Sequence, residues 1–177
     1  MEQLKNPFVI YGYKGAEYFC DRKKETETLI NALRNERNVV LISPRRVGKT
    51  GLIHHVFEQV RKNEPDTRCF YMDINATRNL SQFIQFLAKT VVGQVDTFSQ
   101  AALRKITSFF SSYRPTVSFD ELTGSPTFSI TVASDRQEES LKHIFEYLKQ
   151  SDKRIYIAID EFQQIAEYPE KGTEALL

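Results

Sequence analysis

The residues best suited to chemistry lie between Ser43 and Gly51, where the sequence reads Ser-Pro-Arg-Arg-Val-Gly-Lys-Thr-Gly. In a loop between a strand and a helix, backbone N–H groups can point one way and cradle an anion. A lysine there can reach the β- and γ-phosphates of a nucleotide, and a threonine hydroxyl can bind Mg²⁺. A glycine lets the backbone approach a phosphate without a Cβ. The candidate nucleotide-binding residues of this loop are Pro44, Arg45, Arg46, Val47, Gly48, Lys49, Thr50 and Gly51.

The match to the usual phosphate-loop pattern, Gly-x-x-x-x-Gly-Lys-Ser/Thr, is incomplete because Ser43 stands at its first position. The alternative is an ordinary basic loop with a chance Gly-Lys-Thr. The flanking sequence favours the phosphate loop. The apolar residues Val39 to Ile42 precede it and predict a buried parallel strand, and a helical pattern follows it.

A second group of candidate residues, Asp160 and Glu161, follows the apolar run Ile155 to Ile159. A strand carries such side chains to its carboxyl end, where ligands bind in open α/β sheets. Asp160 would hold Mg²⁺ through water, because Mg²⁺ keeps several of its waters. Glu161 would orient and deprotonate the water that attacks the γ-phosphate. Lys49 would stabilise charge on the phosphoryl oxygens. Glu161 and Lys49 are therefore the candidate catalytic residues.

Taken alone, the two acids could simply end a strand before a solvated loop. Two such motifs, each at the end of an apolar strand, favour a magnesium–nucleotide site instead. The pair of motifs predicts that Lys49 and Asp160 lie at the same rim of the sheet, with Thr50 and Asp160 as the metal-binding residues.

The rest of the sequence predicts an alternation of helices and strands, with helix caps at Asp21 and Asp135. The predicted helices run from Asp21 to about Asn35, from the loop to about Asn63, over Leu80–Val95, from Asp96 or Thr97 to about Tyr113, and onward from Asp135. The predicted strands are Asn38–Ser43, Cys69–Asn75 and Arg154–Ile159.

Between residues 115 and 133 the period of the apolar residues changes from helical to alternating. Val117 and Phe119 alternate with polar residues, as do Phe128, Ile130 and Val132, so this segment predicts a β-hairpin. An isolated hairpin is marginal in water and must pack against something. It could pack on its own domain. The sharper alternative is a surface for self-association or for a downstream effector domain.

The N-terminal arm, residues 1–20, is rich in aromatic residues and is expected to lie on the domain rather than form its own core. On the helix after the loop, His54, His55, Glu58 and Gln59 share one face. A metal site at His54 and Glu58 is the less favoured interpretation, and a solvated polar face is the better one, because two partial ligands rarely make a site.

Composition limits the alternatives. The chain has 177 residues, enough for one domain, and a net charge of +1, which does not support nucleic-acid binding. The two cysteines, Cys20 and Cys69, have no zinc-like spacing and suit reduced thiols. No signal peptide or membrane-spanning run is evident, so we expect a cytoplasmic protein without a membrane partner.

The chain resembles the archaeal-type ATPases, which belong with the AAA+ and STAND groups of P-loop NTPases. The resemblance rests on Pro44 to Thr50 followed by Leu52, and on Ile159-Asp160-Glu161-Phe162-Gln163, which is similar to an Asp-Glu-Phe-Gln signature. Phe19 to Glu25 resembles the family's aromatic–Gly-Arg-Glu segment, and the hairpin resembles an insertion of bacterial members.

This resemblance implies an α/β P-loop fold, a parallel sheet flanked by helices, with ATP and Mg²⁺ as cofactors. It implies that Phe19 and Arg22 lie near the base, and it suggests Asn75 as a switch that holds Glu161 away from the water. Asn75 could equally be a turn residue. It also implies that residues 1–177 form a single ATPase domain that lacks the sensor strand and the lid at its C-terminal side.

Two functions follow from these observations. The first is Mg²⁺-dependent ATP hydrolysis coupled to a conformational change in a longer protein. The second is a nucleotide-dependent signalling switch, or an inactive ATP-binding fragment, with little hydrolysis. Whether this chain is itself an enzyme is left open by the sequence.

Overall fold

The computed structural model describes residues 12–95, 100–119 and 126–170 of the chain. They divide into two compact units, with the boundary between Cys69 and Phe70. No helix within these residues is long and apolar enough to cross a bilayer. Asp96 and Thr97, the predicted helix caps, and the turn of the hairpin lie outside the described residues.

The first unit is built from two helices, α1 (Lys23–Arg34) and α2 (Lys49–Asn63), which pack against each other. A short 3₁₀ turn, Ala16–Tyr18, precedes them. The apolar face of α2 is buried as its spacing predicts, because side chains three and four residues apart share one face of a helix. The buried residues of α2 are Leu52, Val56, Phe57 and Val60.

The prediction of a strand at Asn38–Ser43 is wrong. The structure has no strand there, and the side chains of Val40 and Ile42 are 81% and 91% exposed. An apolar run becomes a strand only when a neighbour pairs with its backbone groups. The sheets of the described residues pair other segments.

The second unit contains a strand pair, β1 (Thr67–Asp73), which begins just before the unit boundary, and β4 (Arg154–Asp160). This small sheet is parallel and flanked by helices. The helices of this unit are α3 (Leu80–Val95), α4 (Gln100–Phe109) and α5 (Gln137–Lys149). Of the predicted elements, α3 and the last strand match most closely.

In the segment predicted to form a hairpin, β2 (Thr116–Phe119) and β3 (Pro126–Ser129) pair antiparallel with Val117 opposite Phe128, and the insertion itself stays a prediction. Phe128 is 1% exposed, and its ring centroid lies 5.4 Å from that of Phe110. The apolar side of the hairpin therefore packs within its own unit, and Ser118 on the other side is exposed.

A continuous hydrophobic core joins the hairpin, α3, α5 and the strand pair. Its burial is the main favourable term in folding, at about 25 cal/mol per Å² of apolar surface removed from water. The most deeply buried side chains include Ile74, Ile84, Leu87, Val91, Phe110 and Ile144.

The helix caps predicted at Asp21 and Asp135 are wrong. Asp21 has φ 63° and lies before Arg22, which is the N-cap residue of α1. Asp135 lies inside a 3₁₀ turn, Ser134–Arg136, so Arg136 becomes the N-cap residue of α5. A side chain caps a helix from the N-cap position itself, and neither aspartate occupies it.

Candidate functional site

The lysine of the candidate phosphate loop folds back onto that loop. Lys49 is the first residue of α2, and its Nζ donates to the carbonyl oxygens of Ser43 at 2.9 Å and Pro44 at 3.2 Å. These bonds place an ammonium group beside the loop backbone at the start of a helix, where the helix dipole also favours an anion. Lys49 therefore stands where a phosphate chain held by the loop could reach it.

Gly48 is the N-cap residue of α2 and has φ 80° and ψ 28°. Only glycine adopts this left-handed conformation without strain, so the backbone turn accounts for the glycine at this position. A Cβ at Gly48 would meet no atom within 4 Å, so packing does not require the glycine. The carbonyl of Gly48 accepts the first hydrogen bond of α2, from the N–H of Leu52 at 2.9 Å.

The crown of the loop faces outward. Pro44, Arg45, Arg46 and Val47 are all exposed, and Arg46 has φ 65°. Thr50, in the first turn of α2, is exposed as well. The loop therefore offers backbone groups, two guanidinium groups and a hydroxyl in a part of the first unit that is open to solvent.

The aromatic arm covers the polar face of α2, which the sequence predicts to be solvated. The ring of Phe19 stacks on that of His55 with centroids 4.2 Å apart, and a Cβ at Gly51 would lie 3.7 Å from Cε2 of Phe19. The hydroxyl of Tyr13 donates to Glu58 at 2.5 Å and lies 3.1 Å from Nδ1 of His55. The expectation that aromatic side chains of the arm lie on the domain is thus confirmed for Tyr13 and Phe19.

These contacts shift the titration of three groups. Burial lowers the pKa of His55, with Glu58 acting in the opposite direction. A hydrogen bond from Lys62, and then one from Tyr13, lower the pKa of Glu58. Burial and the Glu58 carboxylate raise the pKa of Tyr13 well above its usual value. In this cluster the Glu58 carboxylate accepts hydrogen bonds from the Tyr13 hydroxyl and from the Lys62 side chain.

Arg22, predicted with Phe19 to lie near a base, is at the start of α1. Its Nε is 4.0 Å from the carboxylate of Glu25, and its carbonyl accepts a hydrogen bond from Thr26. An exposed pair of this kind contributes at most about 1 kcal/mol. The predicted base-side roles of Phe19 and Arg22 stay predictions.

In the second unit, Asp160 ends β4, and its carboxylate accepts hydrogen bonds from Tyr71 and from the backbone of Glu161. The hydroxyl of Tyr71 donates to Oδ2 at 2.7 Å, and the N–H of Glu161 donates to Oδ1 at 3.0 Å. The N–H of Ile74 donates to the Asp160 carbonyl at 3.2 Å, which ties the ends of the two strands together. Both the backbone and the carboxylate of Asp160 are thus fixed by neighbours.

Glu161 has φ 56° and ψ 37°, a left-handed conformation that costs a non-glycine residue about 1–3 kcal/mol. Such strain is often kept at functional positions. The side chain of Gln163 donates to the Glu161 carboxylate, and the N–H of Gln164 donates to the Glu161 carbonyl at 2.9 Å. Asn75, the predicted switch, is exposed, and its N–H donates to the carboxylate of Asp73.

The residues predicted to hold Mg²⁺ have suitable chemistry. Thr50 supplies a hydroxyl and Asp160 a carboxylate, and Mg²⁺ is a hard cation that prefers oxygen ligands. Among the described residues, no cluster of three or more His, Cys, Asp or Glu side chains could hold a metal.

Sequence reasoning missed Tyr71, and it quoted Gln163 only as part of a motif. The alternation of side chains along β1 indicates on which face of the sheet Tyr71 lies. Phe70 and Met72 are buried in the core, so Tyr71 must face the other side of the sheet. Which residue meets it there depends on how β1 pairs with β4, and that pairing is a property of the tertiary structure.

A small parallel sheet flanked by helices is compatible with a P-loop-like domain. Residues 19–177 match the family model of an ATPase domain found predominantly in Archaea. The chain belongs to this family. It is also 27% identical over 165 residues to an uncharacterized ATP-binding protein of Methanocaldococcus jannaschii.

That alignment covers 87% of this chain and 45% of the relative, so the chain spans less than half of the length of the relative. No solved structure matches the chain.

Proposed function

We propose that this protein binds ATP through the loop Ser43 to Gly51 and hydrolyses it in a Mg²⁺-dependent reaction. The observation that carries the proposal is the position of Lys49, which starts α2 and is bonded to the loop carbonyls, in a chain of an ATPase family. The name of the archaeal relative, an ATP-binding protein, supports the same ligand.

In this proposal the first-unit residues bind the phosphates. Lys49 exchanges its bonds to the carbonyls of Ser43 and Pro44 for phosphoryl oxygens, and the first N–H groups of α2 add further donors. Bound Mg²⁺ would neutralise charge on the phosphoryl oxygens. Thr50 and Asp160 are the residues that would hold it. The predicted proximity of Lys49 and Asp160 stays part of the proposal.

Glu161 is proposed as the general base for the attacking water. A carboxylate suits this role when it is oriented by its neighbours and can accept a proton. The strained backbone of Glu161 and its bond to Gln163 support an oriented side chain. The proposal predicts that Glu161→Gln keeps nucleotide affinity and loses phosphate release.

Binding is tested by thermal unfolding with and without Mg-ATP. Ligand at 100 times its Kd adds about 2.7 kcal/mol of stability, which raises the melting temperature measurably. Lys49→Ala should remove this increase, and Lys24→Ala, on the exposed side of α1, should keep it. An increase that survives Lys49→Ala would contradict the phosphate role of the loop.

The second candidate function is a switch that binds ATP with little turnover, and one observation favours it. In this function the bond from Gln163 holds the Glu161 carboxylate in an orientation that does not face the attacking water, so the bond must break before Glu161 can act as a base. Gln163→Ala should then raise the rate of phosphate release, and Asn75→Ala tests the switch that the family resemblance suggests. Unchanged rates in both variants would favour the plain hydrolase.

The proposal also includes coupling of ATP hydrolysis to a conformational change. It further includes self-association, or binding of an effector, through the 115–133 hairpin. Ser118 and Thr116 lie on the exposed side of that hairpin. Ser118→Arg should weaken such an association without affecting nucleotide affinity. Sedimentation of the protein with and without Mg-ATP measures the association, and no difference between the variants would exclude this surface.

A further inference from the structure

The geometry points to Tyr71 as the residue that positions the Asp160 carboxylate for a magnesium-bound water. This inference deepens the proposed function and rests on it. It assigns to Tyr71 a role outside the two sequence motifs, in the middle of a neighbouring strand. Tyr71 acts through Asp160 and is a positioning residue, not a catalytic one.

The strand pair places Tyr71 on the same side of the sheet as Asp160. Phe70 and Met72 of β1 are in the hydrophobic core, and Ile157 and Ile159 of β4 pack against that core. Successive side chains of a strand point to opposite faces, so the intervening Tyr71 and the following Asp160 share the other face. The bond between Ile74 and Asp160 fixes the two strand ends beside each other.

The contact is a charge-assisted hydrogen bond of good length. The Tyr71 hydroxyl lies 2.7 Å from Oδ2 of Asp160, and both residues are only partly buried. Bonds from a neutral donor to an ionised acceptor are stronger than neutral ones. Because the Glu161 N–H bonds the other oxygen, Oδ1, the carboxylate cannot rotate without breaking one of the two bonds.

Such a constraint matters for a carboxylate that works through water. Mg²⁺ demands near-ideal octahedral geometry and keeps several waters, so the acceptor of a metal-bound water must hold a fixed direction. A carboxylate has about four acceptor positions, so bonds from Tyr71 and Glu161 do not by themselves prevent it from accepting water. Partners that orient metal-binding side chains typically contribute 10–100-fold to metal affinity or activity.

The test measures the Mg²⁺ requirement of nucleotide binding, using a fluorescent ATP analogue and no turnover. In Tyr71→Phe, the ring stays and the hydroxyl is removed, and we expect the half-saturating Mg²⁺ concentration to rise by about 10-fold or more. Binding of the analogue in EDTA should be unchanged. The affinity for Mn²⁺ with the analogue, followed by electron paramagnetic resonance, should fall in parallel.

Tyr156→Phe is the matched control. Tyr156 lies on β4, its hydroxyl is buried, and within the described residues it has no hydrogen-bond partner. The same chemical change there should leave the Mg²⁺ requirement unaltered. Tyr71→His, which keeps a ring with an N–H donor, should restore part of the loss and also serves if Tyr71→Phe fails to fold.

Combining the variants separates positioning from general destabilisation. In an Asp160→Asn background, Tyr71→Phe should raise the Mg²⁺ requirement no further, because its target is gone. A wild-type Mg²⁺ requirement in Tyr71→Phe, with a raised one in Asp160→Asn, would overturn the role of Tyr71 alone. If the wild-type chain binds no nucleotide at all, the proposed function fails and this inference fails with it.

Discussion

Two apolar runs of this chain precede its two motifs, yet they behave differently. Ile155 to Ile159 lie in β4, paired with β1 and packed against the core. Val39 to Ile42, before the lysine loop, are outside any strand and largely exposed. Sequence alone predicts a buried strand in both places. The difference teaches that an apolar run is only a candidate strand, and that a backbone partner decides whether it becomes one.

The largest expected effect comes from one substitution in the core against which the first run packs and one within the second run. Ile74→Ala removes a fully buried core side chain directly after β1, and it should lower the free energy of unfolding by about 2–5 kcal/mol. Ile42→Ala changes an exposed side chain and should stay within about 0.5 kcal/mol of wild type. Urea unfolding followed by circular dichroism measures both. A large loss in Ile42→Ala would mean that the segment is buried in solution.

The second prediction asks whether the exposed region is the phosphate site. Lys49→Ala should weaken ATP binding by at least about 10-fold, because it removes a charged hydrogen bond worth about 1.5–3 kcal/mol. The unfolding free energy should change little, because the lysine bonds only exposed loop carbonyls. Equilibrium binding of a fluorescent nucleotide gives the first value. Lys24→Ala is the control, and equal affinities in the two variants would contradict the assignment.

A third prediction concerns the aromatic arm, which covers α2 without adding to the apolar core. Tyr13→Phe removes the bonds to Glu58 and His55 and should cost about 1 kcal/mol. Tyr18→Phe, in the 3₁₀ turn of the same arm, is the control. Denaturant unfolding of the two variants checks the prediction. A stability loss in Tyr18→Phe as large as that in Tyr13→Phe would show that the specific bonds to α2 do not matter.

The smallest predicted effect is a pH dependence of stability from the same cluster. The pKa values of His55 and Glu58 are lower in the folded protein, so the unfolded chain binds more protons. Stability from these groups is therefore present at neutral pH and declines as pH falls, first below the usual histidine value of 6.5 and then through the carboxyl range below 4.5. Urea midpoints from pH 7 to pH 3 measure the decline.

Glu58→Gln separates the two contributions. It should flatten the pH dependence below 4.5, because the amide does not titrate. The histidine contribution near pH 6 should remain, although the loss of the neighbouring carboxylate lowers the pKa of His55 further. An unchanged slope below pH 4.5 in Glu58→Gln would assign the acid sensitivity to other carboxylates of the chain.

The sequence by itself determined the helices and the positions of the chemical groups. Period-3.6 spacing gave α3 its bounds, because a helix is stabilised by contacts between neighbouring residues and one apolar face. Alternation likewise indicated the strands β2 and β3, and an apolar run indicated β4. The motifs around Lys49 and Asp160 were readable because phosphate and magnesium chemistry needs particular residue types at short spacing.

Only the tertiary structure decided which strands pair, where Tyr13 and Phe19 dock, and which side chain holds Asp160. Residues 71 and 160 are far apart in sequence, and their hydroxyl–carboxylate bond exists because β1 and β4 are neighbours in the sheet. The exposure of Ile42 has the same origin. Pairing between distant segments depends on the whole fold, since each unpaired backbone group must find a partner or remain in water.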